Sequence, residues 1–412
     1  MNRLAVFLAL FIQLLHAADS KPPAAQSKPP DDLFKDIDKT MAILEQITGW
    51  KVKHKVAAEW ISREKLHQFV ESRLKDEVKP EDVRIEQLTL RMFGLIPESF
   101  DLRKTTVDLV TEQAAAFYDY NRKRLFVLDT EDDPVERRVT LAHELAHALA
   151  DQRFSLKKYM KGGTSSDDAS TARQAVVEGQ ATWLMWAFLA QREGKIAEVP
   201  AAMVDMAAKV AQGSQDQFPV LAGAPLYIRE SMMFPYTKGL LFQDAEFKKS
   251  GQKSFTDVFE HAPNSTQQIL HPEIYEKGDK PKDVALADVA QPKQYRTLAE
   301  GSVGEFDHHI LLSQFVDERT ADDVAPLWRG GAFRLYETKQ GKQPLLNYVS
   351  MWDSDETAAR FMKLYRKILE GKWKQLKVTR ETETELAGQG DYGPFRVWRS
   401  KNVVYSLEGG LH

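Results

Sequence analysis

The chain has 412 residues, 43% of them hydrophobic, a formal net charge of −4 and no cysteine. Two or three domains fit that length. The near-balanced charge and the lack of a basic run give no footing for nucleic acid. Without cysteine there is no disulfide, no thiolate ligand or nucleophile and no iron–sulfur cluster, so any metal must be held by His, Asp or Glu.

Residues 1–18 read as a secretory signal. Asn2 and Arg3 make a short polar and basic start, Leu4 to Leu15 an apolar run, and Ala17 and Ala18 a small-residue cleavage site. The run is short for a membrane span, so the expectation is an exported chain, periplasmic or extracellular, with no span left after cleavage. Residues 19–31 are a polar, proline-rich linker. Over residues 32–110 the apolar spacing predicts helices at Leu33–Ile47 and Val56–Leu74, then one opened by Pro80 and closed at Gly94. Ala114–Tyr118 and Arg124–Leu128 read as a β-hairpin around the polar turn Asp119–Lys123.

Pro134 opens the next helix, which carries Thr140 to Asp151, TLAHELAHALAD. Residues four apart on a helix share a face, so His143 and His147 can offer two imidazoles to one ion with Glu144 beside them. Thr140, His143, Glu144, His147 and Asp151 form one polar stripe on an otherwise apolar helix. Ionisable groups in such a setting are costly unless paired or metal-bound, and HExxH in this context reads as a zinc site with a glutamate base. A helix over about Thr171–Arg192, capped by Asp168 or Ser170, is apolar nearly all round and therefore buried. Glu178 is the only acid within it, which favours Glu178 as the third ligand over Asp167 or Asp168. Gly179 leaves room for another backbone. Asp151, one turn past His147, is a candidate to orient that imidazole. A developing oxyanion needs a donor, and Tyr236 and His271 are the candidates. His308 and His309 suit either a cleft or a solvated helix face.

Beyond these, helices are expected at Ala201–Gln212, Phe255–His261 and Gly304–Phe315. Residues 111–322 make the metal-bearing part. From residue 323 to 412 the pattern is a small ββαββ module: strands at Ala332–Glu337 and Leu345–Met351, a helix to Glu370, then strands at Val378–Leu386 and Phe395–Ser406. The fold class is α+β, mainly helical around the metal site.

HELAHALAD, the hairpin upstream of it and a glutamate on the next helix resemble the zincin metallopeptidases, over roughly Thr111–Gln191. The third-ligand glutamate makes the chain similar to the gluzincin branch, of which thermolysin is a member. The resemblance implies one zinc held by His143, His147 and Glu178, Glu144 as general base, and strand Arg124–Leu128 as the edge along which a peptide or protein substrate lies. Two features depart from that branch: the long interval from His147 to Glu178, and Thr182 where a second acid is common. VTEQAAAFYDYNRKRLFVLD, ARQAVVEGQAT, FPYTKG and STQQILHPEIY also resemble a group of exported bacterial metallopeptidase-like proteins of unknown substrate, although Ala332 stands where that group has an acid. The function expected is zinc-dependent peptide-bond hydrolysis. The alternatives are a catalytically silent, metal-stabilised binding or scaffold protein, and a hydrolase of a non-peptide amide such as a cell-wall linkage. The oligomeric state is not legible.

Overall fold

The computed structural model describes residues 31–410 apart from 114, 130–133, 164–165, 191–198, 200–201, 203 and 206–217. The expected signal and linker lie outside the described residues, as does most of the helix expected over Ala201–Gln212. The protein is α+β: a helical N-terminal region with a small mixed sheet, then a seven-stranded antiparallel sheet with helices. Among the described residues no helix is long and apolar enough to cross a membrane.

Helix α1 (Asp31–Thr48) leads into strand β1 (Ala57–Ile61) and α2 (Arg63–Glu77). The single helix expected over Val56–Leu74 is thus a strand followed by a helix. Ser62 makes the break, since its side chain accepts the Lys65 N–H as an N-cap. α3 (Pro80–Phe93) ends at Gly94, whose φ of 79° is the left-handed C-cap that glycine supplies cheaply. α4 (Leu102–Gln113) precedes the hairpin of β2 (Ala116–Asp119) and β3 (Arg124–Leu128). The sheet order is β1-β3-β2, with β1 parallel and β2 antiparallel to β3.

α5 (Pro134–Phe154) carries the HExxH motif. Leu141, Leu145 and Leu149 are at most 1% exposed. At roughly 2 kcal/mol for each such side chain, they fix which face of α5 turns inward. After α6 (Leu156–Lys161) comes α7 (Asp167–Ala190), which begins earlier than expected. Neither Asp168 nor Ser170 is its cap; Ser166 Oγ accepts the Ala169 N–H instead. A short α8 (Pro219–Ala222) is followed by α9 (Leu226–Ser250). α7 and α9 cross at Gly179 and Gly239, where a β-carbon on either glycine would collide with the backbone of the other helix. This is the close approach that Gly179 foretold. α10 (Ser254–Glu260), α11 (Thr266–Leu270) and α12 (Pro272–Lys277) complete this half.

The C-terminal sheet is larger than the expected ββαββ module. β4 (Tyr295–Ser302) begins it, and α13 (Glu305–Phe315) and α14 (Glu318–Val324) follow. Then come β5 (Trp328–Thr338), β6 (Pro344–Trp352), α15 (Asp355–Lys372), β7 (Lys377–Glu381), β8 (Glu385–Gly390), β9 (Gly393–Ser400) and β10 (Val403–Gly409). The order is β4-β5-β6-β10-β9-β8-β7. Each of the last two expected strands is in fact a hairpin, β7–β8 and β9–β10. His308 belongs to this core. It is fully buried, with Nε2 2.5 Å from Tyr348 Oη and Nδ1 2.6 Å from the Gly304 carbonyl. α3 packs on the same sheet through Phe93, edge-on to Phe333 and Tyr348, and through Arg84, paired with buried Glu337.

Candidate metal centre

One turn of α5 presents His143 and His147, and α7 brings Glu178 against them. His143 Nε2 is 3.1 Å from His147 Nε2 and 3.2 Å from Glu178 Oε2, and His147 Nε2 is 3.3 Å from the same carboxylate oxygen. Donors about 2.0–2.1 Å from a tetrahedral ion stand about 3.3 Å from one another. The triangle therefore has the size of one face of a zinc coordination shell, with the fourth direction left over. The side chains of His143, His147 and Glu178 are 12%, 6% and 4% exposed. Two imidazoles and one carboxylate with no thiolate suit zinc among the common divalent ions, and these three residues could hold such an ion.

The charges hold Glu178 ionised, whereas His147 must give up a proton to act as a ligand. Burial would raise the Glu178 carboxyl, but His147 and His143 hold it well below the usual carboxylate range. Burial pulls His147 down, and Glu178 and Glu144 outweigh that and raise it. Burial pushes the Glu144 carboxyl up, offset in part by His147 and His143.

Glu144 is partly exposed, and its Oε2 accepts the backbone N–H of Tyr118 at 2.8 Å. That bond follows from register. Leu128 N donates to the Ala115 carbonyl, so in the alternating antiparallel ladder Phe117 faces β3 while the amide of Tyr118 faces away. β2 is thus the edge beside the motif. β3, which the resemblance made the substrate edge, is the central strand with both sides paired. Nothing in residue type announces the Tyr118 amide, which is why the sequence could not name it.

Tyr236 comes to the centre from α9. Its ring lies 6.0 Å from that of His143, and its hydroxyl bonds Glu178. Burial and then the Glu178 and Glu144 charges push its pKa well above the ordinary value, so it is held as a donor. The helix crossing at Gly239, one turn after Tyr236, sets this approach. His271 is elsewhere: its Nε2 is 2.7 Å from Glu305 Oε1, in a cleft with Phe234, Thr237 and Lys238. Those three residues lie on a different face of α9 from Tyr236. Asp151 does not orient a histidine either. Its carboxylate takes the Tyr118 hydroxyl at 3.0 Å, the Leu156 N–H at 2.9 Å and the Lys123 ammonium. Asp168 Oδ1 accepts from Thr266 N and Oγ1, tying the start of α7 to α11. Among the described residues neither Asp167 nor Asp168 joins the His143–His147–Glu178 group.

No curated protein matches the chain, and no solved structure matches it. Residues 293–410 match a domain of unknown function, DUF8575, a span that contains all seven strands of the C-terminal sheet. Residues 98–212 match the family model described as the IrrE N-terminal-like domain of peptidase family M78, and that span contains His143, Glu144, His147 and Glu178. Residues 98–212 are thus similar to the IrrE N-terminal-like domain, a zincin-like metallopeptidase family, and residues 293–410 to DUF8575.

Proposed function

We propose that the chain is a zinc-dependent peptidase of the gluzincin type, with His143, His147 and Glu178 as ligands and Glu144 as general base. The observation that carries this reading is the triangle of donor atoms, with edges of 3.1, 3.2 and 3.3 Å, beside a partly exposed carboxylate. A purely structural site has no use for Glu144. Zinc, when bound, supplies Lewis acidity that brings a water toward neutral pKa and polarises a carbonyl. Glu144 has Oε2 anchored by the Tyr118 amide, which leaves Oε1 to receive the proton of the attacking water and return it to the leaving amine. Tyr236, kept protonated, turns its hydroxyl from Glu178 to the oxyanion as it develops. Protein or peptide is the substrate class, and an extended chain would follow the edge of β2 beside the Tyr118 amide that Glu144 occupies. Export by the N-terminal signal belongs to the same proposal, and cell fractionation with N-terminal sequencing of the mature protein tests it.

The test of function is a peptide-cleavage assay with elemental analysis of the same samples. Glu144→Gln retains zinc and loses about 10²–10⁴-fold in kcat. Tyr236→Phe retains zinc and loses about 10²-fold, with KM little changed. Cleavage by Glu144→Gln at the wild-type rate would remove this mechanism. Wild-type protein that holds zinc but cleaves no peptide would favour the scaffold or non-peptide amide reading.

A further inference from the structure

We propose a second metal site, for a divalent transition ion, formed by His309 of α13 with Glu318 and Asp322 of α14. It is separate from the His143–His147–Glu178 group and does not depend on the peptidase reading.

His309 Nε2 lies 2.9 Å from Asp322 Oδ1 and 3.9 Å from Glu318 Oε1. The three donor atoms all fall within 4.8 Å of one another. Glu318 and Asp322 are one turn apart, so they share a face of α14. That face is set against α13 by a tight corner: the N–H groups of Val316 and Asp317 both return to the Leu312 carbonyl, and Asp317 caps α14 by accepting the Thr320 N–H. The other ring nitrogen of His309, Nδ1, is 3.5 Å from Ser313 Oγ, which leaves Nε2 toward the acids.

Nε2 is within hydrogen-bond reach of Asp322 only, and Glu318 stands beside the pair at 3.9 Å. A cation satisfies all three donors at once. The surroundings point the same way. The group lines a cleft of about 310 Å³ that also holds Glu230, Glu305 and His271, with Lys238 as its only lysine or arginine. Donors about 2.1 Å from a six-coordinate ion stand about 3 Å apart, close to the His309–Asp322 spacing. Glu318 is 71% exposed and is free to move in by the remaining ångström. The imidazole selects zinc, nickel or copper over magnesium or calcium. Exposure of Glu318 and Asp322, with His309 half-buried, makes the site exchangeable and weaker than the buried one.

The experiment uses tag-free full-length protein, stripped by chelator, dialysed against a fixed low concentration of zinc chloride and analysed for metal per chain. About two zinc per chain are expected for wild type and about one for His309→Ala. Asp322→Asn, which preserves size, is run beside it so that a folding defect in one variant does not decide the matter. Either variant losing about one equivalent, with unchanged circular dichroism and no recovery in tenfold excess magnesium, supports the site. A folded His309→Ala with the wild-type metal count overturns it. Glu178→Ala with an unchanged count would instead sink the buried site, so the two failures are distinguishable.

Discussion

At the scale of single residues, the centre was legible where the constraint is local or where burial exposes an anomaly. HExxH needs only the helical repeat to put two imidazoles on one face. Glu178 stood out because an acid inside an all-apolar helix needs a partner, and it has three: His143, His147 and the Tyr236 hydroxyl. Tyr236 and His271 carried equal sequence signals, a polar ring in an apolar segment. Only the path of α9 separates them, since it turns Tyr236 to His143 and leaves His271 to Glu305. The partners of Asp151 were hidden for a similar reason, because Tyr118 and Lys123 reach it across the hairpin.

A further residue, away from the centre, sets a pH dependence. Burial, then the nearby Asp168 and Asp167, push the Asp307 carboxyl up to about 8, against the Gly304 N–H that pulls it down. Asp307 therefore holds its proton in the folded chain while the unfolded chain releases it above an ordinary value of 3.8. Stability from this group is full at low pH and is lost as pH rises toward 8. His308, lowered to about 4 by burial, acts in the opposite sense but only below 6.5. The raised His271 acts in the same sense as Asp307. We expect wild-type Tm to fall between pH 6.5 and 8, and Asp307→Asn to fall less, by roughly 3–6 °C. Parallel Tm curves for the two proteins across that window would refute the assignment.

At the scale of elements, α1, α3, α7 and α13 and the hairpin of β2 and β3 were read nearly to their ends, whereas α9, β1 and the C-terminal hairpins were not. Ala57–Ile61 has no alternation that outweighs a helical reading. Its strand character comes from β3, whose free side it fills. β7–β8 and β9–β10 each merged into one strand because their turns, Thr382–Thr384 and Lys401–Asn402, lack a turn glycine or proline. The α7–α9 crossing is the element on which the centre depends. Gly179→Ala puts a methyl into the α9 backbone, and overpacking of this kind costs about 1–3 kcal/mol or more. Tyr236 moves with α9, so we expect a lower Tm together with a kcat loss that exceeds any change in zinc content. Full activity in a destabilised variant would show that the crossing serves stability alone.

At the scale of the whole molecule, the two halves are bound by polar groups out of water. Lys372, 1% exposed, closes on Glu408 at 2.6 Å and donates to the Met92 carbonyl at the end of α3, at 2.9 Å. Glu408 also accepts the Tyr365 hydroxyl. One ammonium thus joins the N-terminal helices, α15 and β10. Lys372→Met leaves a buried carboxylate without its cation, a loss of about 3–5 kcal/mol, and the added change Glu408→Gln should restore a good part of it. Equal denaturation midpoints for wild type and the single variant would contradict this role. These long-range bonds were not legible beforehand, since each partner looked like an ordinary surface charge.

The place of β1 in the small sheet has one more consequence. It arrives from a segment well before the span that matches the peptidase family, yet it pairs along the whole of β3. A fragment cut to residues 98–212 would keep all three donors of the centre and lose that strand. The flank of β3, Leu125 to Leu128, would then be an open, apolar edge, the kind of template on which chains pair with one another. Such a fragment should aggregate rather than work, and the shortest soluble form of the domain should begin before Ala57.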